Sequence, residues 1–267
     1  MSLTKSVTDG AIVAKRNLIK IKRVPDLLVF STLSPIMFIL LFAYVFGSAI
    51  PIPGGGDYKE FLIPGIFAQT VIFGATLTGA GLADDIQKGI IDRFRSLPMS
   101  RSAVLVGRTA SDVANNVLVV FVMSVTGLII GWRIRTDVFH AAAGFLLLLA
   151  FAYAISWIMA WVGLLVPSPE VVNNASFIVI FPLTFIANTF VPTNKFPSVL
   201  KFIANWNPVS SVTQAARDLF GNTNPAVEVP DYWSLQHPVI YTLIWIAVLL
   251  LIFVPLSVRQ YRRAVSR

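Results

Sequence analysis

A chain of 267 residues that is 56% apolar and only 13% charged, with mean hydropathy +0.75, lacks the polar surface of a soluble domain, where about 25% of residues are charged. Its net charge of +8 excludes nothing until the charges are mapped. Zero cysteines rule out disulfides and thiolate metal sites, and two histidines, His140 and His237, are too few and too far apart for a metal centre.

Residues 1–26 predict an amphipathic helix. At about 100° per residue, Val7, Ala11, Ala14, Leu18 and Ile21 fall in one narrow stripe. Lys5, Asp9, Arg16, Lys20 and Arg23 lie opposite, while Lys15 and Lys22 flank the stripe, where their stems can snorkel. Such a helix lies in the membrane interface and ends near Pro25. It is either a generic anchor or a moving part that docks against a partner.

Hydrocarbon about 30 Å thick needs roughly 20 apolar residues of helix. Six stretches qualify: 27–47, 61–83, 113–131, 138–166, 171–191 (interrupted by Pro182) and 239–258 (with Pro255 near its end). None contains Asp, Glu, Lys or Arg, each of which costs about 2.5–3.5 kcal/mol at mid-helix. The first is too long and starts too late for a signal-peptide core. The expected fold is therefore an all-α integral membrane protein with six transmembrane helices, one domain over 1–267. With both termini on one side, that side holds fifteen Lys and Arg against six on the other. The positive-inside rule then puts both termini in the cytoplasm. The basic excess reads as topology and contact with anionic membrane lipids, not nucleic acid.

Between the second and third spans, at 84–102, Ile86, Ile90, Phe94 and Leu97 recur at i, i+4, i+8 and i+11. That spacing predicts a short amphipathic helix stopped before Pro98. Gly89 inside it costs about 1 kcal/mol against alanine, which points to close packing or a break. The segment is either a solvated loop or a shape that docks into another protein. In the docking case Ile90 and Phe94 are apolar anchors and Asp92, Arg93 and Arg95 are rim charges. Arg108 and Asp112, four apart, pair at the membrane edge. Asn115 and Asn116, near the inner end of the third span, and Asn173 and Asn174, entering the fifth, line a path or, the commoner use, bond between helices. His140 is a boundary residue. After the fifth span, 199–206 is apolar but too short to cross, and a polar stretch follows. Irregular backbone at membrane depth must be covered by protein or face water; the alternative is a loop packed on the surface.

A secondary transporter would place ionisable residues inside the membrane, and these spans hold no Asp, Glu, Lys or Arg. An intramembrane enzyme would need a nucleophile and base or a metal-ligand set, and none is present. A non-transporting membrane scaffold stays open on composition alone.

Two motifs carry a family resemblance. Asp84-Asp-Ile-Gln-Lys-Gly-Ile-Ile-Asp-Arg-Phe-Arg-Ser-Leu-Pro-Met-Ser-Arg101, continuing to Thr109, resembles the cytoplasmic loop of type-2 ABC exporter permeases, especially the daunorubicin-resistance branch. Phe190-Val-Pro-Thr-Asn-Lys-Phe-Pro197, then Asn207-Pro208 and Ala216-Arg217, resembles that family's outer region before the last helix. Asn188 and Thr189 depart from the Ser-Gly pair common there. The resemblance implies an ATP-driven exporter of an amphipathic drug or lipid-like substrate in the bacterial cytoplasmic membrane; the family also includes polysaccharide and glycolipid exporters. It makes 84–102 a coupling helix seated in a separate ATP-binding subunit, with Asp85, Gly89, Asp92, Arg93, Arg95 and Pro98 as coupling residues. It places re-entrant helices in 192–238, broken at Pro192, Pro197 and Pro208, with Asn207 and Arg217 in an outer gate. There Arg217 either caps carbonyls or meets lipid phosphate. It also implies a dimer, of two copies or with a similar permease, joined to two ATP-binding subunits. No Gly-x-x-x-x-Gly-Lys-Ser/Thr loop occurs in this sequence, and Gly54-Gly-Gly56 lacks the lysine. ATP and magnesium are thus expected in the partner, with no cofactor here.

Overall fold

The computed structural model describes residues 14, 19, 25–47, 49, 50, 52, 55–90, 103–166, 168–223 and 230–266, with backbone alone for 25–31, 103, 195 and 264–266. Every regular element among them is helical. In chain order they are α1 (Pro25–Leu40), continued by a π-helical turn Leu41–Phe46, α2 (Tyr58–Gly74), α3 (Thr76–Gln87), α4 (Ala103–Ile129) and α5 (Val138–Gly163). After these come α6 (Pro169–Phe185), α7 (Ser198–Trp206), α8 (Pro208–Phe220), α9 (Trp233–Gln236) and α10 (Pro238–Ser266). Four helical stretches are long and apolar enough to cross a membrane: Tyr58–Gln87, Val104–Ile129, Val138–Gly163 and Pro238–Arg263. Pro169–Phe185 is apolar but shorter, so the fifth expected span is weaker by length than its sequence suggests, whereas the first helix and its π-helical turn run unbroken from Pro25 to Phe46. Of the amphipathic segment 1–26, Ala14 and Ile19 are helical and Pro25 opens α1; the rest lies outside the described residues.

The second span is one rod with a break. Gly74 is a poor helix former, and at Ala75 the amide is shared between the Val71 and Ile72 carbonyls at 3.3 and 3.2 Å. Thr76 bonds back to the Phe73 carbonyl at 2.7 Å, a contact that bends helices. The third span begins about ten residues earlier than its apolar run. Consequently Arg108 and Asp112 lie within α4 and Asn115 and Asn116 fall near its middle, not at its inner end. The charges are tolerated because they pair: Arg108 Nε stands 3.4 Å from Asp112 Oδ2. Asp112 is buried and also accepts from the Thr78 hydroxyl, while Arg108 donates to the Leu77 carbonyl at 2.7 Å.

Helix α5 is the hub, packing against α2, α3, α4, α8 and α10. Its N-terminus is capped by Asp137, which accepts from the His140 amide at 2.8 Å and meets the His140 ring at 2.8 Å. That amide and then the ring hold the Asp137 carboxyl below the usual carboxylate range. At the other end α5 crosses α3 with no side chain between them. A Cβ at Gly163 would run into the Gly79 carbonyl, and one at Gly79 would lie 2.6 Å from the Met159 carbonyl. Toward the opposite end, Phe67, Trp132, Phe145 and Phe220 form an aromatic core with centroids 4.8–6.2 Å apart.

Candidate functional site

Three places gather the residues singled out above. The first is the end of α6. A helix leaves its last carbonyls without partners, and here side chains take one of them and three more in the turn that follows, 186–190. Arg217, 2% exposed, donates through Nη2 to the Asn188 carbonyl at 2.7 Å and the Thr189 carbonyl at 3.3 Å. Its Nε reaches the Phe61 carbonyl at 2.8 Å, and the guanidinium lies 3.6 Å from the Phe61 ring centre. Tyr58 gives its hydroxyl to the Phe190 carbonyl at 2.9 Å, and Asn207 Nδ2 donates to the Leu183 carbonyl at 2.7 Å. Arg217 is thus a carbonyl cap, and its burial removes the alternative of a lipid phosphate contact. The prolines act as helix starters: Pro192 precedes a 3-10 turn at Thr193–Lys195, Pro197 precedes α7, and Pro208 is the first residue of α8. Asn207 caps α8, its side chain accepting from the Val209 amide at 2.9 Å.

Sequence reasoning missed what fastens this segment to the bundle. Trp132 Nε1 donates to Asn222 Oδ1 at 2.8 Å, and Asn222 Nδ2 to the Arg133 carbonyl at 2.9 Å. Thr136 bonds the Leu219 carbonyl at 2.6 Å and the Arg135 amide bonds the Phe220 carbonyl at 2.8 Å. Arg135 also pairs with Glu60 at 2.6 Å, which raises the arginine's pKa. A Trp followed ninety residues later by an Asn carries no local signal.

The second place is the 84–102 segment. Residues 84–87 form the last turn of α3, not the start of a separate helix, and Gly89 is the break. Its φ is +64°, and its amide bonds the Ile86 carbonyl at 2.9 Å, a left-handed helix stop. Ile90 is helical again. Asp85 is buried within the chain, whereas Asp84 pairs with exposed Lys88 at 2.7 Å. Asp92, Arg93, Phe94, Arg95 and Pro98 lie outside the described residues.

The third place holds Asn115 and Asn116, for which lining a path is the less common of the two readings. A half-open cavity of about 420 Å³ lies between α1, α2, α4 and α6. Phe38, Phe73, Phe177 and Phe181 line it, and so do Gln69, Asn115 and Asn116. Neither carboxamide bonds another described residue, and both line this space, so of the two readings the path-lining one fits. Asn173 and Asn174 are exposed on α6.

The chain matches the family model described as ABC-2 type transporter over residues 10–220. It is 33% identical to a daunorubicin resistance ABC transporter permease protein of Streptomyces coeruleorubidus, over 92% of this chain and 83% of that protein. It is 24% identical to a protein of Mycobacterium tuberculosis named as a probable doxorubicin resistance ABC transporter permease, over 86% of this chain and 79% of that one. Helices suited to crossing a membrane, with a family match over most of the length, make this a multi-pass membrane permease that belongs to the ABC-2 type transporter family.

Proposed function

We propose that this chain is the membrane-spanning subunit of an ATP-driven exporter. It works as a dimer of permeases, of two copies or with a similar chain, on two separate ATP-binding subunits, and moves an amphipathic drug or lipid-like substrate out across the bacterial cytoplasmic membrane. The observation that carries this reading is the 30-residue helical stretch Tyr58–Gln87, broken at Ala75 and stopped at Gly89, after which Ile90 is helical again. A helical arm running from the core of the bundle to a docking segment is the shape needed to carry ATP-driven closure of a partner into the membrane. The same reading gives the six-helix topology, with the 84–102 segment inside and 192–238 outside. A scaffold with no transport role would have no use for such an arm.

The test is assembly. Chain purified free of partners should hydrolyse no ATP above background. Phe94→Ala should weaken capture of the ATP-binding subunit by about 2 kcal/mol, about thirtyfold, as truncating a buried interface aromatic does. Unchanged capture, hydrolysis and efflux in Phe94→Ala would reduce the segment to a solvated connector.

A further inference from the structure

We propose that the cavity between α1, α2, α4 and α6 is a binding site for an uncharged amphiphile with a flat aromatic body and a hydrogen-bonding edge, the edge being read by Gln69, Asn115 and Asn116. The inference deepens the exporter reading, on which it rests only in treating the ligand as cargo.

The three carboxamides are 6%, 7% and 3% exposed, and none forms a hydrogen bond with another described residue. They come from two helices, Gln69 from α2 and the asparagines from α4, and converge on one space. All three sit near the middle of their spans, where water is scarce and an unmade amide hydrogen bond is expensive. A carboxamide both donates and accepts, so together they suit hydroxyl and carbonyl groups alike. Among the described residues no Asp, Glu, Lys or Arg lines the cavity, so a charged ligand would find no counter-charge there. The rest of the lining is largely aromatic: Phe177 and Phe181 stack at 4.9 Å and Phe73 lies 6.2 Å from Phe177. A volume of about 420 Å³ lies within the usual range for small-molecule sites. Asn116 is also held in place from behind, since a Cβ on Gly74 would run into its Oδ1. The amide therefore abuts the break in the helix that leads to the docking segment.

The experiment is equilibrium dialysis of the chain in lipid nanodiscs against empty nanodiscs, at mildly acidic pH. The probes are a catechol-substituted flavone, unsubstituted flavone and the cationic dye ethidium. The catechol flavone should bind about tenfold more tightly than flavone, and ethidium should show no excess over empty discs. Gln69→Leu and Asn116→Leu should each cut the preference about three- to tenfold, the value of one or two neutral hydrogen bonds, with flavone still bound. The variants lie on different helices, so misfolding of one leaves the other informative. Equal binding of the two flavones to the native chain, or a preference unchanged in both variants, overturns the proposal. Capture of the ATP-binding subunit, measured on the same preparations, separates the two readings. Normal capture with no preference removes only this site, whereas a clear preference with no capture removes the exporter reading and leaves a ligand site.

Discussion

Arg217→Ala should lower stability by about 3–5 kcal/mol, because it removes two charge-assisted bonds, strands the carbonyls that accept them and leaves a void. In the native chain two short charge-assisted bonds, to the Asn188 and Phe61 carbonyls at 2.7 and 2.8 Å, are each worth about 1.5–3 kcal/mol. Their sum is offset in part by the cost of burying the guanidinium. Truncation recovers that cost but strands the carbonyls and opens a void under Phe61. Arg217→Met refills most of the void without a charge, so it should lose less, about 1–3 kcal/mol. Thermal unfolding in nanodiscs reads the difference: at about 2–4 °C per kcal/mol, Arg217→Ala should fall by roughly 6–20 °C. Efflux per folded complex should drop as well if the end of α6 belongs to an outer gate. A midpoint within about 1 °C of the native value would refute the capping argument, however efflux behaved.

Two further expectations concern orientation and coupling. Asn194 is exposed in the segment proposed to lie outside, so Asn194→Cys in this cysteine-free chain should react with an impermeant maleimide from outside; reaction only from the cytoplasm would invert the topology. Asn222, tied to Trp132, is a poor choice for such labelling. Gly89→Val places a β-branched residue at φ +64°, a strain of about 1–2 kcal/mol, and should uncouple ATP hydrolysis from export while the ATP-binding subunit still associates. An unchanged ratio of cargo exported to ATP consumed would count against Gly89 as the joint.

The helical class and the long apolar helices were legible because lipid demands long apolar runs, and α2 with α3, α5 and α10 follow those runs. Helix α4 was misjudged at its start: a charge marks the end of an apolar run, but Arg108 and Asp112 neutralise each other and the helix passes through them. The break at Gly89 was one of two readings, and only backbone geometry selects between them. Arg217 was placed between a carbonyl and a phosphate, a choice that needs its burial. The cavity was illegible for a different reason. Asn115 and Asn116 look the same in sequence whether they bond a neighbouring helix or face a gap, and only the convergence of four helices decides.

The bare crossing of α3 on α5 at Gly79 and Gly163 bears on how a push could travel. Interdigitated side chains hold two helices in discrete registers, and moving between registers means climbing out of one set of notches into the next. Backbone resting on backbone has no notches at that point, so α3 can tilt about the contact as a seesaw tilts on its pivot, its swing limited by Leu82, which is buried in one cluster with Trp157 and Ala160 of α5. The arm from Gly79 to Gln87 is about 12 Å and that from Gly79 to Ala75 about 6 Å, at roughly 1.5 Å per residue. A push of about 2 Å at the docking end would then arrive at the break as about 1 Å in the opposite sense, halved in travel and doubled in force.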